Sequence, residues 1–185
     1  MNLFINCCFR DNSRTLSIAQ EYLAREKEGY EEIILGKAVS PILDYANLNV
    51  YGQAMASNDF SADLFKYGKM FAEADKIVIA APYWNNSIPA VLHAFLEIVT
   101  SQGVTFNISP EGEYQSLCQA QSLVFVTTAG GYIPKENYAY GYIKSLAKDF
   151  WKIKKLTYIK AEGLDIAGAN VAELCAKTCI EVEEI

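Results

Sequence analysis

The sequence predicts an α/β fold: one domain, residues 1–185, built on a doubly wound parallel sheet of five strands with helices on both faces. Three observations predict it. Short apolar runs alternate five times with stretches of helical spacing, the rhythm of consecutive strand–helix units. The central runs, Ile77 to Ala81 and Leu123 to Val126, are apolar throughout, as strands covered on both faces are. Three strand ends lead into loops of marked chemistry, and in an open sheet ligands bind beyond the carboxyl ends of the strands.

Leu3 to Cys7 reads as the first strand. The polar loop Cys8-Phe9-Arg10-Asp11-Asn12-Ser13-Arg14-Thr15 leads into a helix expected over 13–27, with Leu16, Ala19 and Leu23 on its apolar side and Gly29 ending it. Tyr30 to Leu35 is the second strand. Residues 36–58, with Pro41 and several asparagines, are expected to be irregular, with room for short helical turns. A helix over 61–74 buries Leu64, Phe65, Met70 and Phe71. The third strand, 77–81, stops at Pro82. Beyond a short loop, Ile88, Val91, Leu92, Phe95, Ile98 and Val99 recur at helical spacing, with Pro89 tolerated in the first turn. Residues 103–121, containing Pro110 and Gly112, form a long connection of the kind that covers something or serves function. A fourth strand at 123–126, a helix at about 138–152, a fifth strand at 156–159 and a last helix at 169–182 complete the chain. In the order 2-1-3-4-5 the first, third and fourth strands are neighbours, and the order reverses between the first and third. Their loops then converge on a single site.

Composition narrows the function. The chain is 51% hydrophobic and 21% charged, ordinary for a globular protein with a sizeable core. A formal charge of −6 argues against nucleic acid or an anionic membrane as main partner, since both demand clustered Lys and Arg. No apolar run reaches the roughly 18 residues of a spanning helix. The start, Met1-Asn2-Leu3-Phe4-Ile5-Asn6, lacks the basic region and long apolar core of a signal peptide, so cytoplasm is expected. Five cysteines are an odd count and come with one histidine and no CxxC, so no metal site is expected and buried reduced thiols are the better reading. That histidine, His93, falls within a helix pattern and reads as structural; no Ser-His-Asp arrangement is evident.

Each loop has a functional and a plain reading. Arg10 to Thr15 opens a helix, where unpaired N–H groups, the hydroxyls of Ser13 and Thr15, and Arg10 or Arg14 suit an anion. Neither GxGxxG nor GxxxxGK[ST] is present, so a single phosphate monoester fits better than a dinucleotide or nucleotide triphosphate. The plain alternative is a capped helix with solvated arginines. Tyr83-Trp84-Asn85-Asn86 offers stacking surface beside amide donors and acceptors, which a flat heteroaromatic ligand needs; core packing and a turn would use the same residues. The paired glycines in Thr127-Thr128-Ala129-Gly130-Gly131-Tyr132 allow close backbone approach to a ligand, or form a simple turn. Three such loops on contiguous strands favour one flat-ligand site.

Pro82-Tyr83-Trp84-Asn85-Asn86-Ser87-Ile88-Pro89, followed by Leu92, Phe95 and Val99 and then Gly103-Val104-Thr105-Phe106, resembles the FMN-dependent NAD(P)H:quinone oxidoreductase and azoreductase family of flavodoxin-like proteins. Thr127 to Gly131 is similar to that family's second flavin loop, and Asn12-Ser13-Arg14-Thr15 to its phosphate loop. Cys7-Cys8 stand where members often carry a serine or small polar residue, and Ala129 where a polar residue is frequent.

The resemblance implies bound FMN, with Ser13, Arg14, Thr15 and Arg10 near its phosphate. It places Pro82, Tyr83, Trp84, Asn85 and Asn86 along the isoalloxazine, and Thr128, Ala129, Gly130 and Gly131 beside its other edge. Backbone N–H groups of residues 85–87 are expected at the N5/O4 edge, and those of Gly130 and Gly131 at N1/O2. Phe106 and Tyr132 are implied for the substrate pocket. No side chain need act as an acid or base, because the flavin carries the chemistry. The implied cycle is ping-pong: hydride from NADH or NADPH to flavin N5, then two electrons to a quinone, azo or nitro acceptor. The family also implies a homodimer with flavin at the subunit contact, covered by Val104 to Phe106 and by Tyr132, Tyr138, Tyr140 and Tyr142; for Tyr140 and Tyr142 plain packing is the stronger reading. Two other classes fit the same loops: a flavodoxin-like electron carrier, which the acidic charge suits, and a binding module that has lost the flavin.

Overall fold

The computed structural model describes residues 1–26, 28–36 and 42–185. In chain order its elements are β1 (Asn2–Asn6), α1 (Arg14–Leu23), β2 (Tyr30–Ile34), α2 (Tyr45–Ser57), a 3-10 turn (Asp63–Phe65), α3 (Lys66–Glu73), β3 (Lys76–Ala80), α4 (Ala90–Val99), β4 (Phe106–Ile108), β5 (Tyr114–Ser116), β6 (Ser122–Thr128), α5 (Tyr140–Asp149), β7 (Lys155–Ala161), α6 (Val171–Ala176) and β8 (Cys179–Glu184).

The main sheet runs β2-β1-β3-β6-β7-β8. Its first five strands are parallel, so counted alone they follow the expected 2-1-3-4-5. The sheet nevertheless has six strands, because β8 pairs antiparallel with β7. Register is set by burial: Ile5 stands opposite Ile79, Ile79 opposite Phe125, and Phe125 opposite Tyr158. These residues and their i±2 neighbours face α3, α4 and α5, where Phe71, Leu92, Phe95 and Trp151 close the core. The alternate residues Phe4, Val78, Val124 and Ile159 face α1 through Ile18, Ala19 and Leu23. A slip of one residue would exchange these two faces, which is why the register is so well specified.

Three expectations need correction. The last helix does not run over 169–182; α6 ends at Ala176 and has no buried residue. Cys179-Ile-Glu-Val-Glu alternates at period two with β-branched residues, and it satisfies the backbone groups along the edge of β7. Residues 36–58 are not irregular throughout. Asp44 caps α2 by accepting from the Asn47 N–H at 2.9 Å, and Asn58, at φ +53°, ends it in the left-handed region. Helical spacing gave no signal there because Ala54 alone is buried on α2. The long connection holds the hairpin β4–β5.

Boundaries moved as well. The first helix stops at Leu23, capped by Ala24 rather than by Gly29; the expected end at Lys27 lies outside the described residues, as do residues 37–41 with Pro41. Tight turns often precede an α-helix, and here the 3-10 turn takes the start of the expected 61–74 helix. The fourth helix of the expected set, 138–152, is shortened to α5.

Candidate functional site

The ladder carries the chain into the site. Beyond β1 the Cys7 N–H donates to the Ala80 carbonyl at 2.8 Å, and the Cys8 N–H to Asn6 Oδ1 at 2.9 Å. A turn closed by the Ser13 N–H on the Arg10 carbonyl (3.1 Å) then delivers Ser13 as the cap of α1. Its Oγ accepts from the Leu16 N–H at 3.2 Å, which leaves the N–H groups of Arg14 and Thr15 without an acceptor among the described residues. These are the free donors at the positive end of the helix dipole.

Beyond β3, the Ala81 N–H donates to the Val126 carbonyl (3.0 Å) and the Tyr83 N–H to the Thr128 carbonyl (2.9 Å). Trp84 to Ser87 then closes a tight hairpin, with Trp84 N–H to Ser87 carbonyl at 2.9 Å and the reverse bond at 2.8 Å. Asn85 and Asn86 sit at its tip with φ of +51° and +62°. Positive φ at both central positions is the type I′ turn, and asparagine is among the few L-residues that adopt it readily. The Tyr138 N–H donates to the Asn86 carbonyl at 3.1 Å, tying the turn to the loop after β6.

The loop after β6 is held from behind by the loop after β7. Asp165 N–H donates to the Gly130 carbonyl (2.9 Å), Gly163 N–H to the Gly131 carbonyl (2.9 Å) and Leu164 N–H to the Ala129 carbonyl (3.2 Å). With the carbonyls engaged, the N–H groups of Gly130 and Gly131 have no acceptor among the described residues. On the cleft floor Thr15 Oγ1 lies 2.6 Å from Thr128 Oγ1, so one hydroxyl donates to the other.

Together these loops enclose a cleft of about 540 Å³ at the carboxyl end of β1, β3 and β6, where the strand order reverses. Arg10, Ser13, Arg14 and Thr15 line one end. Pro82, Tyr83 and Trp84 line one wall, and Thr128, Ala129 and Gly130 the other. Asn85, Asn86 and Gly131 adjoin the lining without being part of it. Two residues implied for the substrate pocket are not brought to the cleft. Phe106 is buried at the opposite, amino end of the sheet, edge-on to Phe150 at 5.0 Å, and Tyr132 stands exposed beside Gly163 and Ile166 on the outer side of the β6 loop. Val104 and Thr105 are likewise buried in their own chain. Tyr140 packs into the core against Tyr158, while Tyr138 is exposed.

Reasoning from sequence missed five lining residues as site residues: Cys8, Phe9, Asn12, Asp165 and Val171. Phe9 did leave a signal, as the one large apolar residue in a polar loop; its half-exposed ring faces Trp84 at 6.0 Å. Burial holds the Cys8 thiol above its ordinary pKa, with the Ser13 hydroxyl opposing the shift. Asp165 and Val171 come from the loop after β7 and the start of α6, where nothing in the sequence marks them.

Residues 2–184 match the model of a protein family described by its flavodoxin-like fold. The chain belongs to that family. Among the relatives of this flavodoxin-like chain is a protein of Coprothermobacter proteolyticus named FMN-dependent NADH:quinone oxidoreductase, 32% identical over 95% of this chain and 91% of its own. A second relative, FMN-dependent NADH:quinone oxidoreductase 2 of Clostridium perfringens (strain 13), is 31% identical over 87% and 84%. The crystal structure of an azoreductase from Bacillus anthracis (strain Sterne) superposes with a TM-score of 0.82 at 24% identity, covering 95% of the flavodoxin-like chain and 92% of the azoreductase. That likeness establishes the shared fold.

Proposed function

We propose that the protein is an FMN-dependent oxidoreductase that takes electrons from NADH or NADPH and passes two to a quinone, azo or nitro acceptor in a ping-pong cycle. The observation that carries this reading is the cleft, which joins free helix-terminal N–H groups and two arginines at one end to an aromatic wall on one side and free glycine N–H groups on the other. Its volume falls in the range of about 300–1,000 Å³ typical of small-molecule and cofactor sites. The names carried by relatives above 30% identity support the same activity.

The donors present suit FMN. Arg14 N–H, Thr15 N–H and the Ser13 hydroxyl proton are available to a phosphate, with Arg10 and Arg14 adding charge. The Thr15 side chain, buried against Thr128, also fixes α1 to β6, while its backbone N–H faces the phosphate end. Trp84, Tyr83 and Pro82 offer a flat wall to the ring. At the turn, the Ser87 N–H is already donated to the Trp84 carbonyl, so hydrogen bonding to the ring edge falls to Asn85 and Asn86 at the tip. The free N–H groups of Gly130 and Gly131 would be available to the other side of the ring, where they would stabilise negative charge. FMN would supply the electron-accepting ring, and the protein binds, orients and shields it.

We read the working form as a homodimer. Phe9, Trp84, Tyr45 and Leu48 leave large apolar surface exposed, and a second copy would cover it. The five free cysteines accord with a reducing compartment such as the cytoplasm, and among the described residues no helix is long and apolar enough to cross a membrane.

The test is direct. Purified protein should be yellow or turn yellow with added FMN, should bleach under NADH or NADPH without oxygen, and should regain colour when a quinone or azo dye is added. Protein that takes up no FMN would overturn the reading. A yellow protein that neither nicotinamide bleaches would make it an electron carrier instead.

A further inference from the structure

We propose that Asp165 is a positioning residue that holds the Arg14 guanidinium at the phosphate end of the cleft. The assignment rests on the flavin reading above and assigns a task to a loop, after β7, that the reading leaves without one.

The Arg14 fork is held at two points. Nη2 donates to Asp165 Oδ1 at 2.8 Å and Nη1 to the Leu164 carbonyl at 3.1 Å. Two bonds to a planar guanidinium fix its orientation as well as its place. Asp165 is itself anchored, because its N–H donates to the Gly130 carbonyl at 2.9 Å. The packing there is close: a Cβ on Gly130 would lie 2.2 Å from Asp165 Oδ2, so a side chain at residue 130 would push the carboxylate away. Asp165 therefore ties the glycine wall of the cleft to the arginine, with its backbone on Gly130 and its carboxylate on Arg14.

Stability does not account for this arrangement. The two side chains retain 32% and 67% of their exposure, and ion pairs so open to water add little to folding. Its consequence is to order a long, flexible cation beside the unpaired N–H groups of Arg14 and Thr15, so that less freedom is lost when a phosphate arrives. The carboxylate also brings a negative charge toward that phosphate, which by itself opposes binding. Positioning and repulsion thus predict opposite signs when the carboxylate is removed.

The experiment compares FMN with riboflavin, which lacks the phosphate, by quenching of flavin fluorescence in wild type, Asp165→Ala, Asp165→Asn, Arg14→Ala and the Asp165→Ala/Arg14→Ala double variant. Positioning predicts that Asp165→Ala weakens FMN by about tenfold, the size of one charge-assisted contact. Asp165→Asn keeps an acceptor for the arginine and should lose less. Riboflavin affinity should hold in every variant, which also reports that the fold is intact. In the Arg14→Ala background, Asp165→Ala should have no further effect on FMN. The assignment fails if Asp165→Ala binds FMN as well as wild type or better, if riboflavin weakens in parallel, or if the loss persists without Arg14. Wild type that binds neither flavin overturns the flavin reading and this assignment together, whereas wild type that binds FMN alongside an unaffected Asp165→Ala overturns this assignment alone.

Discussion

Thr15 and Thr128 meet hydroxyl to hydroxyl, 2.6 Å apart, on the buried floor of the cleft. The contact joins the first turn of α1 to the last residue of β6, two elements that otherwise meet only through packing. Replacing either threonine by valine leaves the other hydroxyl buried without its partner, at a cost of about 1–3 kcal/mol. Removing both leaves no orphaned group, so the double valine variant should be more stable than the two single losses added together. Urea unfolding of the four proteins measures the coupling, and strict additivity would show that the contact is not made.

At the aromatic loop, backbone and side chain can be tested separately. Asn85 has φ +51°, so Asn85→Gly should preserve the turn, whereas Asn85→Ala removes the amide whose local hydrogen bonding lets asparagine tolerate the left-handed region, at a cost of about 1 kcal/mol. If the turn alone matters for FMN, Asn85→Gly binds as wild type does. If the amide contacts the ring, both variants weaken. Trp84→Ala should lower FMN affinity by about tenfold through lost stacking and buried area. Unchanged affinity in Trp84→Ala and Asn85→Ala together would remove this loop from the site.

Much of this architecture was legible because period and burial coincide. Ile77 to Ala81 and Leu123 to Val126 are covered on both faces, so an unbroken apolar run had one reading. The parts that were hidden lacked such a face. With Ala54 its lone buried residue, α2 shows no stripe, and Ile180 and Val182 on the edge strand β8 are exposed, so their alternation was absorbed into the preceding helix pattern. In the site, the residues that came together follow from strand ends, whose positions the topology dictates. Phe106 went elsewhere because a hairpin within the 103–121 connection turns it toward Tyr114 and Phe150. Asp165 was invisible for a related reason: its partners Arg14 and Gly130 are distant in sequence, and only tertiary structure pairs them.

Cysteine reactivity should separate by environment. Burial pushes the Cys7 and Cys118 thiols up to about 12, and only the thiolate is nucleophilic. Both should resist iodoacetamide in the native protein at about pH 8, and react once it is unfolded. Cys179, exposed on the edge strand, should be alkylated first, with half-buried Cys8 slower. Site-resolved mass spectrometry against time gives the order; early labelling of Cys7 would mean that the start of the cleft is open to solvent. If FMN is bound, it should slow Cys8 further and leave Cys179 unchanged, because Cys8 lines the cleft and Cys179 does not.

Burial of His93 behind the aromatic loop should also make the protein less stable in acid. His93 Nε2 lies 3.0 Å from Ser87 Oγ, which in turn donates to the Tyr138 carbonyl at 3.3 Å, so one imidazole braces the turn against α4 and the β6 loop. Burial lowers the His93 pKa below its ordinary 6.5, with the Glu97 carboxylate opposing the shift. The unfolded chain therefore takes up this proton at a higher pH than the folded one. The sign follows: stability from neutral His93 is fully present above pH 6.5 and declines as the pH falls from there through the lower, folded value. His93→Gln keeps a hydrogen-bonding side chain that does not titrate. Subtracting its stability from that of wild type isolates the histidine, since the carboxylates common to both proteins cancel. The difference should be flat above neutrality and fall toward acid; a flat difference throughout would mean that His93 titrates alike in the folded and unfolded chain. If the turn holds the flavin, FMN should dissociate from wild type over the same interval and less steeply from His93→Gln.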